Sequence, residues 1–481
     1  MARAKKKRRT AKKTRPKARS ARVSKARAVV NLSLQDPIKH VVLLMLENRS
    51  FDHMLGCLPN VNGVGMGHSN TDSAGNVYTQ APSRTREIEP DPKHETINVL
   101  RQIEGGNKGF AADYEAAYPQ SSVSQRQEIM SYYPLGFLSP LHELAQQFTV
   151  CDNWFASVPG PTWTNRLFAM SGTSLGRVKM PTGIFDLPSH NSNQDSIFDR
   201  LANAGIPWRV YFGDFPLSLL LRHQQSPPKI LRYYDIGFFY RHARKAEKDF
   251  PAFSFIEPRY LPPGVDDDHP PHDVMNGEQL IANVYNAIRA NAALWNTTLL
   301  IILYDEHGGF FDHESPLAAT PPDNHKEEYT FDRLGVRVPA LLVSPWVGKG
   351  VFPTLCDHTT VLRYLIDKWS LKPLGQRTAG ANSFASIIGA TGGPRQDTPA
   401  SVSTQVAPRA SLLTKAALVE KPLNDNQRAI ISFSQYLEKQ TKDQDANKVK
   451  RSMKMMSGAV DQVGIAKQRA RLFLKQRGAK L

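Results

Sequence analysis

The chain has 481 residues and 41% hydrophobic content, enough for one large α/β domain with insertions or for two domains. No apolar run approaches the ~18 residues of a bilayer-spanning helix, and Cys57, Cys151 and Cys356 lack CxxC spacing, so a membrane span, a disulfide framework and a thiolate zinc site are all excluded. The net charge of +17 is local: residues 1–27 hold 14 Lys or Arg and no acid, which leaves 47 basic against 44 acidic side chains in the rest.

A segment this cationic cannot bury enough apolar surface to fold alone, so disorder is expected over residues 1–33. Such a tail either binds a polyanion by counterion release, nucleic acid or an anionic membrane surface, or serves as a solubilising arm. No apolar stretch follows Arg8-Arg9 as a secretory signal would require. The expected location is cytoplasmic, with a nonstandard export route as the alternative.

Ordered structure is expected from Leu34, with a catalytic body over 34–374. Val41–Leu46 is a short β-branched run that ends in Glu47-Asn48-Arg49-Ser50-Phe51-Asp52, the pattern of a buried parallel strand. Asn62–Pro92, rich in Gly, Asn, Ser, Thr and Pro, reads as a surface excursion. Ser139-Pro140 opens a helix, with Ser139 as its cap, that leads to a strand at Phe148–Cys151. A strand and turn follow at Pro207–Gly213, and a helix from about Gly277 to Ala292 feeds a second apolar run, Leu299–Tyr304, which ends in Asp305-Glu306-His307-Gly308-Gly309. A further unit comprises Val338–Pro345 and the helix after Asp357-His358. This alternation predicts an α/β fold with a mainly parallel sheet flanked by helices. Residues 375–410 read as a linker or surface segment, and 411–481 as a helix-prone basic extension that either packs on the body or projects from it.

Ligands of open α/β sheets bind outside the carboxyl ends of the strands, so the two acidic loops can reach one crevice. Hard divalent cations prefer oxygen, which Glu47, Asp305 and Glu306 supply with the amide of Asn48. Between the loops lies Pro159-Gly160-Pro161-Thr162-Trp163-Thr164-Asn165-Arg166. Thr162, at the start of a helix where the dipole favours an anion, is either a nucleophile or a helix cap, and Asn165 and Arg166 are candidate phosphate contacts. Histidines accompany acids at Asp91/His94, Asp268/His269, Asp312/His313 and Asp357/His358, which suggests a site built from several loops with an imidazole available as general acid. Phe310, Phe311, Trp163, Phe238, Phe239 and Tyr240 are either an apolar rim for a lipid substrate or ordinary core.

E-N-R-S-F-D, G-P-T-x-x-N-R, D-D-H-P, D-E-H-G-G-F-F-D-H and D-H-T-T-V-L-R, in that order from Ile38 to Trp369, resemble the bacterial phospholipase C and acid phosphatase family of phosphoesterases, whose fold is related to the alkaline phosphatase superfamily. The resemblance implies that Glu47, Asn48, Thr162, Asp305 and Glu306 hold one divalent metal ion (Ca, Mg, Mn or Zn). It implies a Thr162 nucleophile, catalytic roles for His94, His269 and His358 with the proton donor among them open, and Asp268 and Asp357 as groups that orient imidazoles. One departure is Thr164, where many relatives carry Pro before the Asn. The implied activity is metal-dependent phosphoester hydrolysis through a phosphothreonine, of phospholipase C type. The alternatives are an acid phosphatase or other phosphodiesterase, and a catalytically weak polyanion-binding protein.

Overall fold

The computed structural model describes residue 1 and residues 36–65, 67–406, 422–441 and 459–481. The basic tail is outside the described residues apart from Met1, as are parts of the C-terminal extension. The central sheet has eight strands: β1 (His40–Leu46), β2 (Thr149–Val150), β3 (Trp208–Phe212), β4 (Tyr233–Asp235), β5 (Phe253–Glu257), β6 (Thr298–Tyr304), β7 (Ala340–Val343) and β8 (Gly350–Val351). Their spatial order is β8-β2-β7-β6-β1-β5-β3-β4.

The two apolar runs are central neighbours. β1 and β6 pair in parallel, with Leu46 opposite Tyr304, so the acidic loops leave the sheet side by side at its carboxyl edge. Every residue of both strands is buried, as expected for strands covered on both faces. The sheet is mainly parallel, but β7 runs antiparallel to β6 and to β2. This departs from the further parallel unit that the sequence suggests over 338–345. The reason lies in residues 305–339, which form no helix: without a crossover element the chain stays at the carboxyl edge and re-enters from there.

The helices that position the site are α1 (Thr96–Gln102), α2 (Ser139–Gln147), α3 (Thr162–Ser171), α4 (Ile236–Ala243), α5 (Val274–Arg289), α6 (Thr359–Lys368), α7 (Asp425–Glu438) and α8 (Ala459–Gln476). Ser139 does not cap α2 with its side chain; its hydroxyl donates to Ser403 O and accepts from Gln405 N, and the free Leu141 amide of the first turn donates instead to Glu278. The 375–410 stretch, as far as residue 406, is a fixed surface segment. It contains a helix at Gly375–Gly380, and the Asn286 side chain bonds both the N–H and C=O of Val402. α7 and α8 pack on the body, and Ile430, Phe433, Leu437, Ala470 and Phe473 join its main core. None of the described helices is long and apolar enough to cross a membrane.

Candidate active site

Glu47 follows β1, and Asp305 and Glu306 follow β6; all three are fully buried. Asn48, in the left-handed region at φ 58°, turns the first loop across the second so that its N–H donates to Asp305 Oδ1 at 3.3 Å. Gly308 makes this approach achievable: a Cβ there would stand 2.2 Å from Asn48 O. The third contributor is the 158–161 turn and α3. Thr162 occupies the first helical position after the N-cap Pro161. Its hydroxyl donates to Asn48 Oδ1 at 3.3 Å.

Asn165 and Arg166 are engaged by the chain itself. Asn165 is committed to the turn: its Oδ1 accepts from Val158 N at 3.2 Å, and its Nδ2 donates to Gly160 O at 2.8 Å. Arg166 is fully buried among the carboxylates, 2.9 Å from Asp305 and 3.3 Å from Glu47, and its Nη2 also donates to Met45 O and Leu46 O. Its Nε and Nη2 make it the counter-ion of two acids, while its Nη1 is buried without a hydrogen-bond partner among the described residues and leaves one donor for the phosphate contact expected from the sequence.

One guanidinium is too little for this much acid. Burial and the neighbouring Asp305 and Asp267 outweigh Arg166 and push the Glu47 carboxyl well above the usual range. Burial likewise raises Asp305 to about 7, with the Glu306 charge adding to the effect. Glu306 Oε1 and Asp267 Oδ2 are buried without a hydrogen-bond partner among the described residues. Carboxylates concentrated beyond the available cations, with unpartnered oxygens and an amide and hydroxyl oxygen beside them, fit a hard divalent cation.

The histidines divide into two groups. His94 donates from Nδ1 to Pro92 O at 2.9 Å, and its Nε2 lies 3.2 Å from Asn48 Nδ2 and 3.8 Å from Glu306. Burial opposes its charge, but Glu306 and Asp91 overcome this and raise the imidazole to about 9. His269 donates from Nδ1 to Pro270 O at 2.6 Å, which leaves a buried Nε2 with no hydrogen-bond partner among the described residues. Its ring stands edge-on to that of His94, with centroids 5.4 Å apart. Asp91, His94 and His269 form one of the groups able to offer ligand atoms within 4.8 Å of one another.

His358, by contrast, is spent. Its Nε2 donates to the backbone O of Asp305 at 2.6 Å and its Nδ1 accepts from Trp154 Nε1 at 3.3 Å, so it fixes the acidic loop and has no nitrogen left for proton transfer. Neither supporting acid bonds an imidazole among the described residues. Asp268 accepts from Tyr304 OH at 2.6 Å, while Asp357 accepts from Thr359 N at 3.0 Å and Arg377 at 3.3 Å. The acid that serves the histidines of this loop is Asp267, which accepts from His269 N at 3.0 Å and His272 Nδ1 at 3.1 Å.

The family model described as "Phosphoesterase family" matches residues 38–372. The chain belongs to that family. As a phosphoesterase it is a phosphoric ester hydrolase. It is 35% identical over 407 residues to "Non-specific phospholipase C6" of Arabidopsis thaliana, with 78% of this chain and 76% of that protein covered. "Non-specific phospholipase C3" of the same plant is 33% identical, over 79% of this chain and 78% of its own length. The "Non-hemolytic phospholipase C" of Pseudomonas aeruginosa is 29% identical, over 69% of this chain and 54% of its own length. Among solved structures, a protein of the alkaline phosphatase superfamily from Vibrio parahaemolyticus aligns over 72% of this chain and 69% of its own, at 9% identity and a TM-score of 0.34.

One contributor to this phosphoesterase site lies outside the matched residues. Asn426, at the start of α7, donates from Nδ2 to both carboxylate oxygens of Glu47 at 3.0 and 3.1 Å and accepts from Trp163 Nε1 at 2.9 Å. The N-x-x-Q capping box of Asn424 and Gln427 signals the helix start in the sequence, but nothing there marks Asn426 as reaching an acid 379 residues away. Gln102 carries no sequence signal either. Its Oε1 accepts from His307 Nε2 at 2.8 Å and so braces the residue after Glu306.

Proposed function

We propose that this phosphoesterase cleaves glycerophospholipids as a phospholipase C does, releasing diacylglycerol and a phosphorylated headgroup, with Thr162 as nucleophile. The carrying observation is the Thr162 hydroxyl, which sits at the amino end of α3 and donates to Asn48 Oδ1 in the acidic loop. The named phospholipases C among the relatives support the substrate class.

Glu47, Asn48, Thr162, Asp305 and Glu306 would hold the cation, and their oxygen donors favour Ca, Mg or Mn over Zn. When bound, it would supply Lewis-acid neutralisation of phosphoryl oxygens and make a neighbouring hydroxyl more acidic. Thr162 Oγ1 attacks phosphorus in line; the Oγ1–P bond forms and the bond from phosphorus to the glyceryl oxygen breaks. His94, in its protonated form, gives the departing alkoxide its proton, and His269 Nε2 takes the proton of Thr162. Water then attacks phosphorus: its O–P bond forms as the Oγ1–P bond breaks, one water proton goes to His94, and the proton held by His269 returns to Thr162. The free amides at the start of α3 favour the anion throughout.

Turnover of p-nitrophenyl phosphorylcholine should fall by at least about three orders of magnitude in Thr162→Ala, with the fold unchanged. Substantial surviving turnover would remove Thr162 from the role. Chelation should abolish wild-type turnover and added Ca, Mg or Mn restore it. A preference for p-nitrophenyl phosphate over the choline diester would redirect the reading to an acid phosphatase.

A further inference from the structure

The aromatic side chains that the sequence offers as a lipid-facing rim do not form one. Phe310, Phe311, Trp163 and Phe239 are buried, and the partly buried Phe238 and Tyr240 lie on α4, which follows the edge strand β4. A different set of apolar side chains is exposed next to the site. α1 begins two residues after His94, and its inner face serves the site: Val99 is buried, and Gln102 bonds Lys93 O at 2.7 Å as well as His307. Its outer face presents Ile97 and Leu100, three residues apart and therefore neighbours on the helix surface, 57% and 36% exposed.

The 178–190 segment meets α1 at its first residue. Thr96 Oγ1 donates to Val178 O at 3.0 Å, and a Cβ on Gly160 of the nucleophile turn would lie 2.9 Å from that same Thr96 oxygen. His190 ties the segment together through Lys179 O at 2.8 Å and Asp186 O at 2.9 Å, and its ring stands edge-on to Trp163, the residue after Thr162. On this segment Phe185 is 91% exposed. Arg101, the residue after Leu100 on α1, and Lys179, on the 178–190 segment, are exposed.

We infer that Phe185, Ile97 and Leu100 form an interfacial anchor that seats the enzyme on an anionic phospholipid surface. The inference rests on the phospholipid reading above, because a substrate whose acyl chains stay in the bilayer must be met at its surface. Three separate protruding side chains offer far less than the roughly 1,000 Å² that a stable protein interface needs. An interface between headgroups and acyl chains, by contrast, rewards each inserted side chain separately, and the exposed Arg101 and Lys179 on the same two segments match anionic headgroups. Both segments touch the turn and helix that carry Thr162, so insertion here brings the nucleophile to the headgroup layer.

The test uses the full chain and its Phe185→Ser/Ile97→Ser/Leu100→Ser variant with phosphatidylcholine/phosphatidylglycerol vesicles, at about 1 M salt, where a Debye length of ~3 Å suppresses binding through the basic tail. Vesicle affinity should fall at least about tenfold. Turnover of soluble p-nitrophenyl phosphorylcholine should be unchanged, since all three side chains face solvent. In a separate Phe185→Trp variant, brominated lipid should quench the fluorescence that the substitution adds to the wild-type signal. Unchanged vesicle affinity in the triple variant, or added fluorescence in F185W that brominated lipid leaves untouched, would overturn the anchor. So would a wild-type dimer that the triple variant abolishes without effect on vesicles. Loss of vesicle binding in the triple variant, with a wild type that cleaves the soluble diester and leaves vesicle lipid intact, would keep the anchor and defeat the phospholipase reading.

Discussion

The segments after β1 and β6 deliver acids twice, and the two clusters they build are electrostatic opposites. Asp52 and Asp312 meet Arg337 at 2.9 and 3.1 Å, and Asp52 also takes His313 Nδ1 and Gln80 Nε2, each at 2.8 Å. The remaining guanidinium nitrogen, Nη1, bonds Asn62 O and Asp152 O, each at 2.7 Å. Burial still raises Asp312 to about 6, but the hydrogen bond from His313 and the Arg337 charge outweigh burial at Asp52 and hold it below its ordinary value. A few residues earlier, Glu47 and Asp305 share the one Arg166 guanidinium, and Glu306 Oε1 beside them has no hydrogen-bond partner among the described residues. Residue type and burial are the same; what distinguishes a structural carboxylate from one awaiting a ligand is whether the chain itself completes its shell.

Breaking the complete cluster should have the largest effect on stability. Arg337→Met would strand two buried carboxylates and cost about 3–5 kcal/mol in denaturant unfolding; a loss under about 1 kcal/mol would mean that the network is dispensable. The incomplete cluster should respond to ions instead. Saturating divalent cation should stabilise the wild type by about 3–4 kcal/mol at roughly 100 to 1,000 times its Kd, read as a Tm shift that chelation reverses. That shift should shrink in Glu306→Gln and persist in the milder Asp312→Asn variant of the other cluster.

Asn426→Ala removes a group that orients Glu47, and cation affinity should weaken by about 10–100-fold, as when other hydrogen-bond partners of metal ligands are lost. Unchanged affinity in a titration would reduce Asn426 to a packing contact. The smallest effect is a change in the shape of a stability curve. Burial lowers and the Asp52 hydrogen bond raises the His313 imidazole, with a net upward shift. Its contribution is therefore complete below the unfolded histidine value and is lost as pH rises through the folded one; that of Asp52 is present above the unfolded carboxylate value and lost as pH falls through its lowered one. His313→Asn should flatten the alkaline side of the Tm–pH curve and, because the His313 bond is the largest cause that lowers Asp52, flatten the acid side as well.

The fold is legible where a single segment carries its own signal. Val41–Leu46 and Leu299–Tyr304 declare two buried strands ending in acid, and the parallel register of β1 and β6 places those acids together. The reversed direction of β7 is not legible, because it depends on residues 305–339 forming no crossover helix. Within the site, motif order brings Glu47, Asn48, Thr162, Asp305 and His94 to notice, while the partner of each side chain stays hidden. His358 looks like His94 in sequence, yet Trp154 and Asp305 O consume both its nitrogens. Asp267 and Asp268 are adjacent acids, and only the fold shows that the first faces His272 and the second Tyr304. Asn426 is out of reach for the same reason: its function is a contact made across most of the chain.

The covalent role of Thr162 is tested most directly by mass spectrometry of acid-quenched enzyme during turnover of a phosphodiester. A phosphorylated-headgroup adduct on the peptide that contains Thr162, absent from Thr162→Ala and lost when the reaction runs to completion, is the predicted result. Full turnover with no adduct on that peptide, together with an active Thr162→Ala enzyme, would contradict it.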